Sequence, residues 1–172
     1  MALVTTLSML VALVVNSSIG AVMPTKRNTP EQRGVAIVGF QLRAQLDKKS
    51  FSSDESVWIT LLTKNMTNEE RTIVAASAVK IYRFTVRNER GVPVSLTEYG
   101  KAMEKSPEDF LERAFLKLGP GREVSDKLQI NKLYEMRAIG TYYITAKRTV
   151  FRRHNEGTAE VVSNTVRVRV VV

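Results

Sequence analysis

Apolar and polar residues alternate along most of this chain. Phe40, Leu42, Ala44 and Leu46 alternate with Gln41, Arg43, Gln45 and Asp47. Val57, Ile59 and Leu61 alternate with Trp58, Thr60 and Leu62. The same period recurs at Tyr82, Phe84 and Val86, at Tyr142, Ile144 and Ala146, and at Val166, Val168, Val170 and Val172. A period of two buries one face of an extended strand and wets the other. The segments are also rich in Val, Ile, Thr, Tyr and Phe, which suit a pleated surface.

Turn signals separate these runs. Lys64 to Glu70 forms a polar stretch; Asn88-Glu89-Arg90-Gly91 reads as a hairpin, with Gly91 free to take positive φ; Gly119-Pro120-Gly121 is a tight turn; and His154-Asn155-Glu156-Gly157 opens a last hairpin. One stretch differs. Ser106-Pro107-Glu108-Asp109 combines a capping Ser, a Pro at the first helical position and acids near the helix start. It predicts a short helix or 3₁₀ turn in a long connection, followed by a strand at 115–118. The pattern implies an all-β fold, an antiparallel Greek-key β-sandwich of about seven to nine strands. By analogy with a seven-stranded Greek key, segments 80–87, 140–150 and 164–172 lie side by side in one sheet, and the remaining strands form the other.

The first residues have a different character. Every charged side chain lies at or beyond Lys26, and residues 7–15 are the most apolar run in the chain. Asn16-Ser17-Ser18 and Ile19-Gly20-Ala21 follow. A short apolar core ahead of small residues predicts a signal peptide over residues 1–20, cut before Ala21, and hence export to a periplasm, cell surface or medium. The n-region lacks Lys and Arg, so an uncleaved membrane anchor over residues 2–23 is the alternative. Residues 21–34, polar and with two prolines, read as a linker to a sandwich domain at 35–172.

Composition narrows the chemistry. Cys is absent and His occurs once, which excludes a disulfide framework, a Cys-based zinc site and a thiol nucleophile, and leaves only His154 for a Ser-His-Asp triad. His154 sits among cations, which repel a metal. The acid pairs Asp54-Glu55, Glu69-Glu70 and Glu108-Asp109 lack the spacing of a calcium loop, and adjacent acids on a strand point to opposite faces. No catalytic residue, metal ligand or cofactor-binding residue is assigned, and the chain is expected not to be an enzyme. Trp58 reads as core or sheet cover, and Tyr99 as an exposed aromatic at a strand end. Asn65-Met66-Thr67 matches a glycosylation acceptor pattern.

Charge gives the strongest candidate surface. Lys and Arg number 26 against 17 Asp and Glu, a net charge of +9. Arg83, Arg87, Lys147, Arg167 and Arg169 fall at outward positions of three strands expected to be neighbours, with Lys147-Arg148 and Arg152-Arg153 extending the charge to the hairpin end. Such a face suits an anionic polymer or a protein partner. Aromatic interleaving is limited to Tyr143, which disfavours nucleic acid. Membrane contact is expected only through residues 1–23, if they are retained.

Several segments resemble bacterial immunoglobulin-like sandwich domains: Asn65-Met66-Thr67-Asn68, Tyr82-Arg83-Phe84-Thr85-Val86, Gly91-Val92-Pro93-Val94, Leu118-Gly119-Pro120-Gly121, Gly140-Thr141-Tyr142-Tyr143-Ile144 and Ser163-Asn164-Thr165-Val166-Arg167-Val168. Their order is most similar to the intracellular proteinase inhibitor-like sandwich. The resemblance spans about residues 35–172 and implies an immunoglobulin-like fold. It also raises an alternative to an exported binding or structural module, namely protease inhibition through an exposed loop. No reactive loop of that family is recognisable, so no inhibitory residue is carried over.

Overall fold

A twelve-residue strand, Gly140–Phe151, is the spine of the fold. In the computed structural model the chain divides into two units, Met1–Glu31 and Gln32–Val172. The structure describes residues 34–105, 114–152 and 156–172, all in the second unit. The expected leader, most of the linker, the helix start at 106–109, Arg153 and His154 lie outside the described residues. No helix among the described residues is long and apolar enough to cross a membrane.

The described residues form ten strands: β1 (Phe40–Leu46), β2 (Ser50–Ser52), β3 (Trp58–Asn65), β4 (Arg71–Ala75), β5 (Tyr82–Asn88), β6 (Ala114–Leu118), β7 (Glu123–Gln129), β8 (Gly140–Phe151), β9 (Thr158–Val162) and β10 (Val166–Val171). Two helices, α1 (Ala78–Ile81) and α2 (Glu98–Lys105), and a 3₁₀ turn at Ile130–Lys132 complete the order. One sheet runs β1-β3-β7 and the other β2-β10-β8-β5, with β9 also on β8. In immunoglobulin lettering these are A-B-E facing C-F-G, the order of an immunoglobulin-like Greek-key sandwich. The sheet expected from 80–87, 140–150 and 164–172 is present as β5, β8 and β10.

Three details depart from the expectation. β2 and β9 join the β8 sheet rather than the opposite one. β2 pairs with β10 in parallel, so the sandwich is not wholly antiparallel. β4 and β6 form a separate two-stranded ribbon. A lone two-stranded ribbon is marginal in water, and Arg71 fastens this one. Its guanidinium donates to the Phe151 carbonyl at 3.0 Å and to the Val38 carbonyl at 3.3 Å.

The core follows the alternation. Phe40, Leu42, Ile59, Leu61, Tyr82, Val86, Tyr142, Ile144, Val168 and Val170 are buried between the sheets. Gly34, the last residue of the expected linker, is packed against the Leu42 and Val162 carbonyls. The Tyr142 hydroxyl donates to the Ala138 carbonyl, four residues upstream, at 2.8 Å. This bond makes Tyr142 a tyrosine corner at the entry to β8.

β8 pairs with β9 and then with β10 along the same edge. Lys147 faces Val162 and Ile144 faces Val166. Two residues of β8 therefore oppose three residues, Ser163, Asn164 and Thr165, which is a β-bulge. The extra residue switches the inward set from Ala159 and Val161 to Val166, Val168 and Val170, and so turns Arg167 and Arg169 outward. Asn164 uses the bulge to reach β1, accepting from the Ala44 N–H at 2.9 Å and donating to the Ala44 carbonyl at 3.1 Å.

Candidate basic sheet face

All five sequence-predicted cations stand on the outer face of the β5-β8-β10 sheet. Register places them in ranks. Arg87, Tyr143 and Arg167 are direct cross-strand partners on β5, β8 and β10. Two residues along, Thr85 faces Thr145, whose hydroxyl lies 2.8 Å from that of Thr165. Beyond that rank, Arg83 faces Lys147. On the other side, Arg169 faces Thr141. The face thus carries two cationic ranks separated by a hydroxyl rank, with Arg169 beyond. Adjacent strands lie about 4.8 Å apart and alternate residues about 6.7 Å apart along a strand.

The cations differ in how they are held. Lys147 pairs with Glu160 of β9 at 3.2 Å, both ends exposed. Arg87 donates to the Gly91 carbonyl at 2.7 Å, which fixes the guanidinium over the Asn88–Gly91 turn. That turn forms as expected: Gly91 has φ of +77° and Asn88 Oδ1 accepts from the N–H groups of Arg90 and Val92. Arg83 donates to the Lys80 carbonyl at 3.5 Å. Among the described residues, Arg167 and Arg169 have no carboxylate within ion-pair distance. Tyr143, between two arginines, is 40% exposed.

Arg148 does not extend this face. It points inward and is 2% exposed. Its parity with Ile144, Ala146 and Val150 is the sequence signal that identifies it as an inner residue. Its guanidinium donates to the Tyr82 hydroxyl at 2.7 Å, to the Thr63 hydroxyl at 2.9 Å and to the Val74 carbonyl at 2.7 Å. The Tyr82 hydroxyl donates in turn to Asp126 at 2.7 Å. Among the described residues no buried side-chain nitrogen or oxygen lacks a hydrogen-bond partner. Arg152 donates to the Thr158 carbonyl at 3.1 Å, within the β8–β9 hairpin.

The other candidates resolve into structure. Asn65 is fully buried and its amide donates to the carbonyls of Glu69, Leu118 and Gly119 at 2.7, 2.8 and 3.1 Å. Its Oδ1 accepts from the Thr67 N–H and hydroxyl. In this fold the amide nitrogen is therefore inaccessible to a glycan, and Asn65-Met66-Thr67 is an Asx turn that organises the loop. Trp58 is a sheet cover, 38% exposed beneath Lys127. Tyr99 lies in the first turn of α2 rather than at a strand end. Thr97 caps that helix, its hydroxyl accepting from the Gly100 N–H at 3.0 Å, and Lys132 lies over the Tyr99 ring. Glu55 pairs with Lys48 and Glu70 with Lys117. The Lys48 ammonium and the Ser52 N–H hold the Glu55 carboxyl below its usual range. Among the described residues no group of three or more His, Cys, Asp or Glu side chains is arranged to hold a metal.

No protein-family model matches this chain, and no curated protein matches it. The likeness to proteinase inhibitor-like sandwiches therefore rests on the short motifs alone. Among solved structures, a β-glucosidase from Erythrobacter marinus aligns with 77% of the chain at 12% identity and a TM-score of 0.41; the chain spans 15% of that enzyme's length. The CARDB domain of PF1109 from Pyrococcus furiosus aligns with 77% of the chain at 14% identity and a TM-score of 0.35, over 94% of its own length. A conserved hypothetical protein from Bacillus anthracis aligns with 76% of the chain at 14% identity and a TM-score of 0.31.

Proposed function

We propose that this protein is a non-catalytic, exported binding module that docks an anionic macromolecule on the outer face of the β5-β8-β10 sheet. The observation that carries this reading is the convergence of Arg83, Arg87, Lys147, Arg167 and Arg169 on one flat surface, with Arg167 and Arg169 unmatched by acids among the described residues. Cations that serve only solubility are interspersed with acids; this face carries them in ranks, with Glu160 paired at its margin. The sheet beneath is rigid, so the positive charges stay in register for a polymeric ligand.

The test is retention on immobilised heparin over a salt gradient. The protein is expected to elute late and in a salt-dependent manner, because each neutralised anion releases counterions. The double variant Arg167→Glu/Arg169→Glu should elute near the void while keeping its far-UV spectrum. Retention insensitive to salt, or unchanged in the double variant, overturns the reading. Export is tested by N-terminal sequencing of protein recovered from its native cell: a start near Ala21 supports it, and a start at Met1 overturns cleavage.

A further inference from the structure

The ranks on the basic face distinguish between kinds of polyanion. We propose that its ligand is an acidic polysaccharide, a polymer of carboxylate-bearing sugars; this rests on the basic-face reading above. Three features carry the inference.

The first is the rank Arg87–Tyr143–Arg167, where one half-exposed aromatic ring stands between two guanidinium groups on directly paired residues. The two arginine Cα atoms lie about two strand spacings apart, roughly 10 Å. A sugar ring laid over Tyr143 places its C–H groups on the electron-rich ring face. Carboxylates on the flanking sugars then meet planar guanidinium forks, which bind carboxylates bidentately.

The second feature is the hydroxyl rank Thr85–Thr145–Thr165. Each hydroxyl has one donor and two acceptor sites, so the Thr145–Thr165 bond leaves capacity for the ligand. A polysaccharide presents hydroxyls between its charges. The surface does the same, with hydroxyls between Arg87–Tyr143–Arg167 and Arg83–Lys147.

The third feature is what the face offers other polyanions. Single-stranded nucleic acid is held by successive bases on successive aromatic side chains, and Tyr143 is the sole aromatic on these ranks. Stable seating on an anionic bilayer draws on buried apolar area besides charge. The exposed side chains of the ranks are Arg, Lys, Thr and Tyr, not a patch of aliphatic residues.

The experiment is titration of the full chain with polygalacturonate, oligo(dT), vesicles of phosphatidylglycerol and phosphatidylcholine, and uncharged dextran, all at one salt concentration. Polygalacturonate should bind tightest and dextran should not bind. Tyr143→Ala should weaken polygalacturonate binding about ten-fold, equivalent to about 1.4 kcal/mol, while Tyr143→Phe stays within about two-fold of the parent, because the ring face rather than the hydroxyl makes the contact. Tighter binding of oligo(dT) or of the vesicles overturns the polysaccharide assignment. So does a Tyr143→Ala variant with unchanged affinity, although the basic-face reading survives if Arg167→Glu/Arg169→Glu still abolishes binding. Failure to bind any of the three polyanions overturns both.

Discussion

Arg148 and Asp126 meet across the sandwich, Nη1 on β8 lying 3.4 Å from Oδ2 on β7, with the Tyr82 hydroxyl bonded to both. The arginine is sealed from water at 2% exposure, and the carboxylate is 23% exposed. A charge buried this deeply is tolerated only while paired and hydrogen-bonded. Asp126→Ala is therefore expected to destabilise the fold by about 3 kcal/mol, at the lower end of the range for breaking a buried pair because the acid retains some water. Replacing both partners by apolar residues, Arg148→Met with Asp126→Leu, should recover most of that loss. Urea unfolding midpoints of the single and double variants, at constant m-value, check the difference.

The same cluster gives the fold an alkaline limit. Burial pushes the Tyr82 hydroxyl well above its ordinary value of 10.0, against a smaller opposing effect of Arg148. The folded state therefore keeps a proton that the unfolded state releases. Stability from this group is complete below pH 10 and falls as pH rises beyond it. Burial also raises Tyr134 and Tyr142, which act in the same direction. Melting temperatures measured from pH 8 to 11 should decline above about pH 10, and Tyr82→Phe should flatten the decline. A profile identical to the parent's would contradict the assignment to Tyr82.

The β3 exit loop and the Gly119–Gly121 turn converge on Asn65. Asn65→Ala removes donors to three carbonyls and an acceptor for Thr67. Leaving buried polar groups unpaired costs about 1–3 kcal/mol per group, so a total loss of about 3 kcal/mol is expected. Asn65→Asp should be no better, because a carboxylate has no N–H to give to those carbonyls. Thermal melts of the two variants alongside the parent distinguish this from a loop asparagine of no consequence, which would shift the midpoint by less than a degree or so.

Gly100 sits in the first turn of α2, where alanine would ordinarily add up to about 1 kcal/mol of stability. Here a Cβ would collide with the Leu133 carbonyl oxygen, a backbone atom with little room to move. Overpacking of this kind typically costs about 1–3 kcal/mol. Gly100→Ala is expected to destabilise by about 1–2 kcal/mol net, and amide hydrogen exchange should speed up in α2 and at Leu133. A stabilised variant would show that α2 can lift off its support.

Most of the framework was legible because one face of each strand is buried, which forces a period of two. Phe40 to Leu46, Tyr82 to Val86 and Tyr142 to Ala146 show it directly. The neighbourhood of β5, β8 and β10 was legible as well, and with it the outward set of Arg83, Arg87, Lys147, Arg167 and Arg169. Arg148 was the principal misreading: its charge suggested the surface, while its place in the alternation assigned it to the interior, and the alternation prevailed because Tyr82, Thr63, Asp126 and the Val74 carbonyl satisfy it. The β4–β6 ribbon had no such signal, since pairing between segments some forty residues apart depends on tertiary contacts. For Tyr99, the capping pattern of Thr97 and Glu98 was present but short, and it competed with a preceding run of strand-like residues.

The Ser163–Thr165 bulge makes chain length, more than composition, the inherited constraint on the C-terminal edge. Loss of a single residue between Val161 and Val166 would rotate the rest of the strand by half a turn, sending Arg167 and Arg169 into the interior and the valines out to solvent. Gain or loss of two residues would leave the parity unchanged. Tolerated indels in this connection are therefore expected in even numbers, whatever residues they introduce.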